Sequence, residues 1–521
     1  MKMNYRLHRW VISCVAVMLF TLSQFAYGFN GLKPCFEVKG FHLDLRIQVM
    51  TMPALKNFAS KLQKAGINTL IMEWEASYPY SKHKIISSSN AYTREEIRSF
   101  IAYCDSLQID VIPLQQSFGH VEYILKHYRY KEIREDQKDY SQVNPTKEAA
   151  CRALFKDLYT DMIGLHHSKY IHIGGDETYL LGHSKESKKK ADSLGMGRLY
   201  GDYIKMLCDI VVELGKVPVL WADIALKYPE ALNGLPASTV FVDWNYGWEL
   251  DRFGDHKKLM QSGFEIWGAP AIRSAPDSYY LTSWEKHLNN IFRFTSEARE
   301  LGYKGMIVTS WSTSGIYDGL FESASDLIDL HPVRNVYPIS GFELLIDAAI
   351  GALRGDILEL TPNLYIQDYG MEKYGLSRGD AQQFSEAIRA IPYEVAQGKV
   401  VGTALGLKDL VDSARIVNDI FKRLSPLKSR STFEHYRLMA NIRYNYLMTM
   451  AIEFQMNGEY YNRSTTISLL KQLESLNVKE VDDKFENLNK YTLLPSELKK
   501  ERAYRNHRYY HLLKKLKNDL R

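Results

Sequence analysis

The chain alternates short runs of buried-type residues with longer stretches in which apolar positions recur every three or four residues. Short runs bounded by turn residues read as strands and the longer stretches as helices. FHLDL (41–45) is the first run, and a helix from Pro53 to Ala65 follows it, stopping at Gly66. NTLIMEW (68–74) is the second; a helix from Thr93 to Leu107 comes next, with Thr93 and Glu96 spaced as a capping box. DVIPLQQ (110–116), a helix spanning Thr146 to His166, and the run 170–175 continue the alternation. Lys185 to Leu214 is helical with a break near Gly195 to Gly197. VPVLWAD (217–223), TVFVDW (239–244), FEIWGAP (264–270) and KGMIVTSW (304–311) complete the series, with a helix from Trp284 to Leu301 between the last two.

Eight buried-type strands separated mostly by helices predict an α/β fold closed as a (β/α)8 barrel. Beyond residue 355 the pattern becomes helical only. Leu410, Ala414, Val417, Phe421 and Leu424 form one stripe, Phe433 to Met456 a long apolar-rich helix, and Leu512, Leu513, Leu516 and Leu520 another stripe. The predicted layout is a barrel over 29–355 and a helical accessory domain over 356–521, preceded by a removable segment, 1–28.

That segment carries Lys2, Arg6 and Arg9 before an apolar run from Val11 to Phe25, then Ala26-Tyr27-Gly28. This is the order of a secretory signal, so export with cleavage near Gly28 is expected, and no stable membrane anchor. The net charge of +5 over 521 residues gives no reason to expect nucleic acid as a partner. Of five cysteines, Cys14 leaves with the signal. Cys35, Cys104, Cys151 and Cys208 lack metal-ligand spacing, so buried free thiols are expected.

Chemistry concentrates where the strands end. Tyr170 to Ile173 leads through Gly174 and Gly175 into two adjacent acids, Asp176 and Glu177. Glycines at a strand end allow close backbone approach, and α/β barrels hold their ligands just past that point. Glu73, Trp74 and Glu75 close the second run and Ser117 to His120 follow the third. Trp221 and Asp223 end the fifth, Trp244 and Tyr246 the sixth, Trp267 the seventh and Trp311 the eighth. A rim of carboxylates and indoles suits a sugar, since indole faces pack on C–H surfaces and acids bond hydroxyls.

HIGGDE at 172–177 resembles the H-x-G-G-D-E signature of the family 20 glycoside hydrolases, the β-N-acetylhexosaminidases. IMEWEASYPY (71–80), VIPLQQSFGHVEYILKH (111–127), TYLLG (178–182), VLWAD and VTSW resemble the hexosaminidase D-like branch, in order across the predicted barrel. The resemblance implies an exo-acting, retaining enzyme that removes terminal β-linked GlcNAc or GalNAc from glycans. In that chemistry the substrate's 2-acetamido group is the nucleophile. Glu177 would be the general acid, expected to have a raised pKa, and Asp176 would orient the acetamido group. His120 would position the sugar or the acids, Trp221, Trp244 and Trp311 would wall the pocket, and Tyr246 would donate to the acetamido carbonyl. Glu75 matches an acidic position of the branch, and Asp223 is a further candidate for substrate contact. Arg46 follows Asp44 by two residues where the family's sugar-binding arginine follows by three, and Thr313 stands where a glutamate is often found. The first leaves the role of Arg46 open, and the second leaves open recognition of the 4- or 6-hydroxyl and so the choice between GlcNAc and GalNAc. No cofactor or metal is implied.

Two readings compete. An ordinary retaining glycosidase would use Glu177 as acid and Glu75 or Asp223 as nucleophile. A non-catalytic glycan-binding barrel would be expected to lose the acid pair, and both members are present. A metal-dependent hydrolase using His42, His120 and His172 is disfavoured because the histidines lack close ligand spacing.

Overall fold

Eight parallel strands close on themselves in sequence order: β1 (Val38–Asp44), β2 (Thr69–Glu73), β3 (Asp110–Leu114), β4 (Tyr170–His172), β5 (Val217–Trp221), β6 (Val240–Trp244), β7 (Glu265–Ala269) and β8 (Gly305–Ser310). The pairing of Val38 with Gly305 through Phe41 with Val308 seals the barrel. The computed structural model describes residues 36–274, 277, 282–313, 317–319, 330–356, 361–390, 394–396, 399–401 and 405–521. The expected export segment and Cys35 lie outside them.

Strand parity sorts the side chains. Ile71, Ile112, Val219, Val240, Val242, Trp267, Ala269 and Ile307 fill the barrel, while Leu70, Met72, Val111, Ile171, Phe241 and Val308 face the helices. Alternation of this kind is hidden in a sequence whose strands are buried on both faces. The bottom of the barrel is plugged by Trp267, whose ring meets Tyr170 at 5.3 Å. Gly305 makes this possible: a Cβ there would sit 2.6 Å from the indole. Past Ala269, Pro270 interrupts the ladder, and the short strand Ala271–Arg273 rejoins β8 with a shifted register.

The helices begin where expected. α1 (Met52–Lys64) is capped by Thr51, and α2 (Arg94–Ser106) opens with the Thr93–Glu96 capping box. α3 (Glu148–Ile163) precedes β4. The predicted break separates α4 (Lys185–Leu194) from α5 (Met196–Glu213) at Gly195, whose φ of +88° no helix accommodates. α6 (Trp284–Glu300) precedes β8, and α7 (Glu343–Arg354) packs against α6 and ends at Gly355.

The C-terminal helical region comprises α8 (Pro362–Tyr374), α9 (Arg378–Ile388), α10 (Leu407–Arg423), α11 (Arg430–Met456), α12 (Arg463–Glu474), α13 (Val478–Asn489) and α14 (Pro495–Asp519). Its core is continuous with that of the barrel: Trp284 of α6 contacts both Phe342 and Tyr436 at 5.7 Å between ring centroids. The start of α14 is fastened to the barrel through buried charges. Arg334 pairs with Glu497 at 2.8 Å and Glu501 at 2.9 Å, and Glu497 also accepts the backbone N–H of Gln48 at 2.9 Å. Gln48 in turn receives the Arg273 guanidinium at 2.9 Å.

Cys104, Cys151 and Cys208 are free and buried, and burial pushes each thiol up to about 12. Among the described residues no helix is long and apolar enough to cross a membrane.

Candidate active site

At the C-terminal ends of the strands the chain after β4 turns through Gly174 (φ +74°) and Gly175 (φ +95°). A side chain at Gly174 would place its Cβ 2.0 Å from the Gln116 amide oxygen. The turn is pinned from behind: Tyr200 of α5 donates its hydroxyl to the Gly175 carbonyl at 2.8 Å, and the Trp221 N–H bonds the Gly174 carbonyl at 3.1 Å. Asp176 emerges buried and Glu177 half-buried, the latter at a φ of +48° that only a held backbone sustains in a non-glycine residue.

The loop after β3 closes over this turn. Nε2 of His120 lies 3.4 Å from Oδ2 of Asp176 and 3.3 Å from Oε2 of Glu177. Burial opposes the imidazolium, but the neighbouring Asp176 and Glu177 carboxylates outweigh it and hold His120 well above its ordinary value. Glu177 therefore departs from the expectation of a raised pKa. Burial pushes its carboxyl up, yet the His120 hydrogen bond and charge, the Tyr179 hydroxyl at 2.7 Å and the charge of Arg252 together leave it lowered. The two shifts run in opposite directions and favour the proton on the imidazole over the Glu177 carboxyl.

The acid pair opens into a cavity of about 260 Å³ lined by Arg46, His120, Asp176, Glu177, Trp221, Trp244, Tyr246 and Trp311 from the predicted set. Trp221 and Trp311 stand 5.9 Å apart, each backed by a histidine at 4.5 Å, His172 and His42 respectively. Trp311 donates its indole N–H to the Tyr246 hydroxyl at 2.8 Å, and the same hydroxyl is hydrogen-bonded to Thr309. Burial keeps that phenol protonated. Arg46 reaches the cavity despite its altered spacing. Its guanidinium is held by Glu73 at 2.9 Å, Asp44 at 3.2 Å and Glu75 at 3.4 Å, and it stays charged because these acids outweigh the cost of burial.

Two predicted residues do not line the cavity. Glu75 is turned towards Arg46 and the Tyr317 hydroxyl, and Asp223 lies behind the wall, accepting the Glu177 N–H at 3.1 Å and the Trp244 indole N–H at 3.2 Å. Two indoles expected at the rim are elsewhere. Trp74 faces outward against Tyr92, Phe100 and His166, and Trp267 plugs the bottom of the barrel. Parity explains the first, since Glu73 points inward and its neighbour must point out. Trp267 points inward but sits two residues before its strand ends. Trp248, Arg252 and Phe253, which the pattern of strand ends does not single out, come from the loop after β6, and Tyr179 from the turn after the acid pair. The aromatic density of NYGWELDRF (245–253) directly after a strand is the signal that marks them.

His42 and His172 are engaged without metal-like grouping. His42 bonds Glu73 at 2.9 Å, and burial, with the charge of His42, lowers His172 to about 3. No cluster of three or more His, Cys, Asp or Glu side chains able to hold a metal occurs among the described residues.

Residues 42–313, just over half of the 521, match the catalytic-domain model of glycosyl hydrolase family 20. The chain belongs to that family. Among similar proteins, hexosaminidase D of Bos taurus is 28% identical over 309 residues, covering 56% of this chain and 87% of that protein. Hexosaminidase D of Homo sapiens is 28% identical over 310 residues, but the match spans only 63% of its length. A solved β-N-acetylhexosaminidase from Bacteroides fragilis NCTC 9343 aligns with a TM-score of 0.47 at 16% identity, over 65% of this chain and 70% of that one. The family 20 match begins at His42 in β1 and ends at Thr313, two residues past Trp311, and so takes in every residue that lines the cavity.

Proposed function

We propose that the protein is an exo-acting, retaining β-N-acetylhexosaminidase that cleaves terminal β-linked GlcNAc or GalNAc from glycans with the substrate's own amide as nucleophile. One observation carries this reading. Among the described residues lining the cavity, the only carboxylates are Asp176 and Glu177, adjacent in sequence and joined through His120. A conventional retaining enzyme needs a second carboxylate about 5 Å across the sugar from the acid. Its candidates, Glu75 and Asp223, are committed to Arg46 and to the Glu177 backbone.

The chemistry then divides simply. Glu177 delivers a proton to the leaving glycosidic oxygen, drawing on the proton held by His120. The acetamido oxygen attacks the anomeric carbon, and Asp176 bonds the acetamido N–H, where positive charge develops. The Tyr246 hydroxyl donates to the acetamido oxygen. Trp221, Trp244 and Trp311 pack on the sugar and its methyl group, excluding water. In the second half, Glu177 takes a proton from the water that opens the cyclic intermediate, and configuration is retained.

The assay that tests this compares aryl β-GlcNAc, β-GalNAc and β-glucoside, with Glu177→Gln as control. Turnover of the acetamido sugars alone is expected. Comparable turnover of the glucoside would overturn the mechanism. The sequence also supports export, with a mature chain starting at Phe29, which N-terminal sequencing of the exported protein checks.

A further inference from the structure

Two arginines enter the cavity, and they differ in company. Arg46 is enclosed by three carboxylates, so its charge is spent inside the protein. Arg252, on the exposed loop after β6, forms no ion pair among the described residues. Its guanidinium instead lies over the Trp248 indole, 4.4 Å from the ring centroid, and the indole lines the cavity beside it. Phe253 lies beneath the same cation, 5.8 Å away, and the backbone N–H of Arg252 bonds the Glu249 carbonyl at 3.2 Å. Stacking holds the planar fork in place while leaving its edge N–H groups open to an acceptor.

Position decides which part of a substrate meets that fork. Arg252 and Glu177 line the same cavity, and the guanidinium charge acts on that carboxyl. Glu177 faces the glycosidic oxygen and hence the leaving group, whereas Arg46 shares its end of the cavity with Trp311, 5.7 Å from its ring. The two acids do not repel an anion outright, because the His120 imidazolium sits between them.

We propose that Arg252, stacked on Trp248, makes the leaving-group side of this cavity a subsite for an anionic aglycone, a sugar bearing a carboxylate or a sulfate ester. The inference rests on the hexosaminidase reading and adds to it the class of residue that the terminal sugar is cut from. Carboxylate and sulfate share the geometry a guanidinium fork accepts in pairs. Because Arg252 is exposed, the discrimination it supplies is modest.

The test uses three β-N-acetylglucosaminides on the full chain: 4-carboxyphenyl, 4-sulfophenyl and the neutral 4-carbamoylphenyl. Each anionic substrate is expressed as a ratio of kcat/KM to the neutral one, so that any effect of Arg252 on Glu177 cancels. In Arg252→Gln that ratio should fall about three- to ten-fold, mainly through KM, with Arg252→Lys intermediate. A fall confined to the carboxyphenyl arm assigns a uronate-type partner, and one confined to the sulfophenyl arm a sulfate ester. Unchanged ratios in both arms overturn the proposal while leaving the hexosaminidase reading intact. Failure of the wild type to hydrolyse even the carbamoylphenyl substrate overturns that reading, and this one with it.

Discussion

The backbone N–H of Glu177 donates to Oδ2 of Asp223 at 3.1 Å, while Oδ1 of the same carboxylate accepts the Trp244 indole N–H at 3.2 Å. One buried acid, outside the cavity, thus fixes both the acid residue's backbone, at φ +48°, and an indole of the wall. A left-handed backbone in a non-glycine residue costs on the order of 1 kcal/mol or more, and bonds of this kind sustain it.

Above about pH 7, where Asp223 is ionised, Asp223→Asn leaves a single side-chain acceptor for two donors, so kcat on an aryl β-GlcNAc should drop about ten-fold or more there, with KM changed less. A second readout follows from charge. Burial beside Asp176 raises Asp223 to about 7, so the folded chain keeps a proton that the unfolded chain releases from about pH 4 upward. That contribution makes the fold less stable as pH rises between those limits. Urea midpoints measured at pH 5 and 7.5 should therefore fall less in Asp223→Asn than in the wild type.

Glu177→Gln removes the proton donor without changing its shape. A loss of about 10²–10⁴ in kcat is expected, with KM nearly unchanged and a smaller loss on substrates with very good leaving groups. Asp176→Asn should be costly only on acetamido sugars. Near-wild-type turnover by either variant contradicts the division of labour between the two acids.

In the proposed mechanism His120 supplies the proton that Glu177 uses, and both acids raise the affinity of His120 for it. In His120→Gln the carboxyl of Glu177 is freed from the lowering influence of the imidazolium, yet a carboxyl still releases its proton below the pH at which His120 does. The basic limb of the kcat/KM profile should move to lower pH as the rate falls. A limb displaced to higher pH would contradict the shared proton.

Arg334 serves both Glu497 and Glu501, whose side chains are almost wholly buried. Arg334→Met strips these carboxylates of their common cation, a change that costs about 3–5 kcal/mol in comparable buried pairs. Chemical denaturation monitored by tryptophan fluorescence measures it.

Much of the fold is legible in the sequence because the strands and their order announce themselves. Each buried run from FHLDL to KGMIVTSW forms a barrel strand, and Thr93, Glu96 and Gly195 mark helix ends by residue type alone. The acid pair is legible from the glycines that bend the chain before it. Facing direction is not. Trp74 and Trp267 look like Trp221 in the sequence, yet one packs outside the barrel and the other at its base. The lowered carboxyl of Glu177 could not be read either, since its causes, His120 and Arg252, meet it only through the fold. Arg46 is the reverse case: an altered spacing questioned it, and three surrounding acids place it at the cavity all the same.

The clasp between Gln48 and Glu497 joins residues 449 positions apart. Synthesis must therefore pass residue 497 before the exit of the first strand can be fastened beside the cavity mouth. A nascent chain stalled short of α14 would carry every catalytic side chain on a mouth still unlatched.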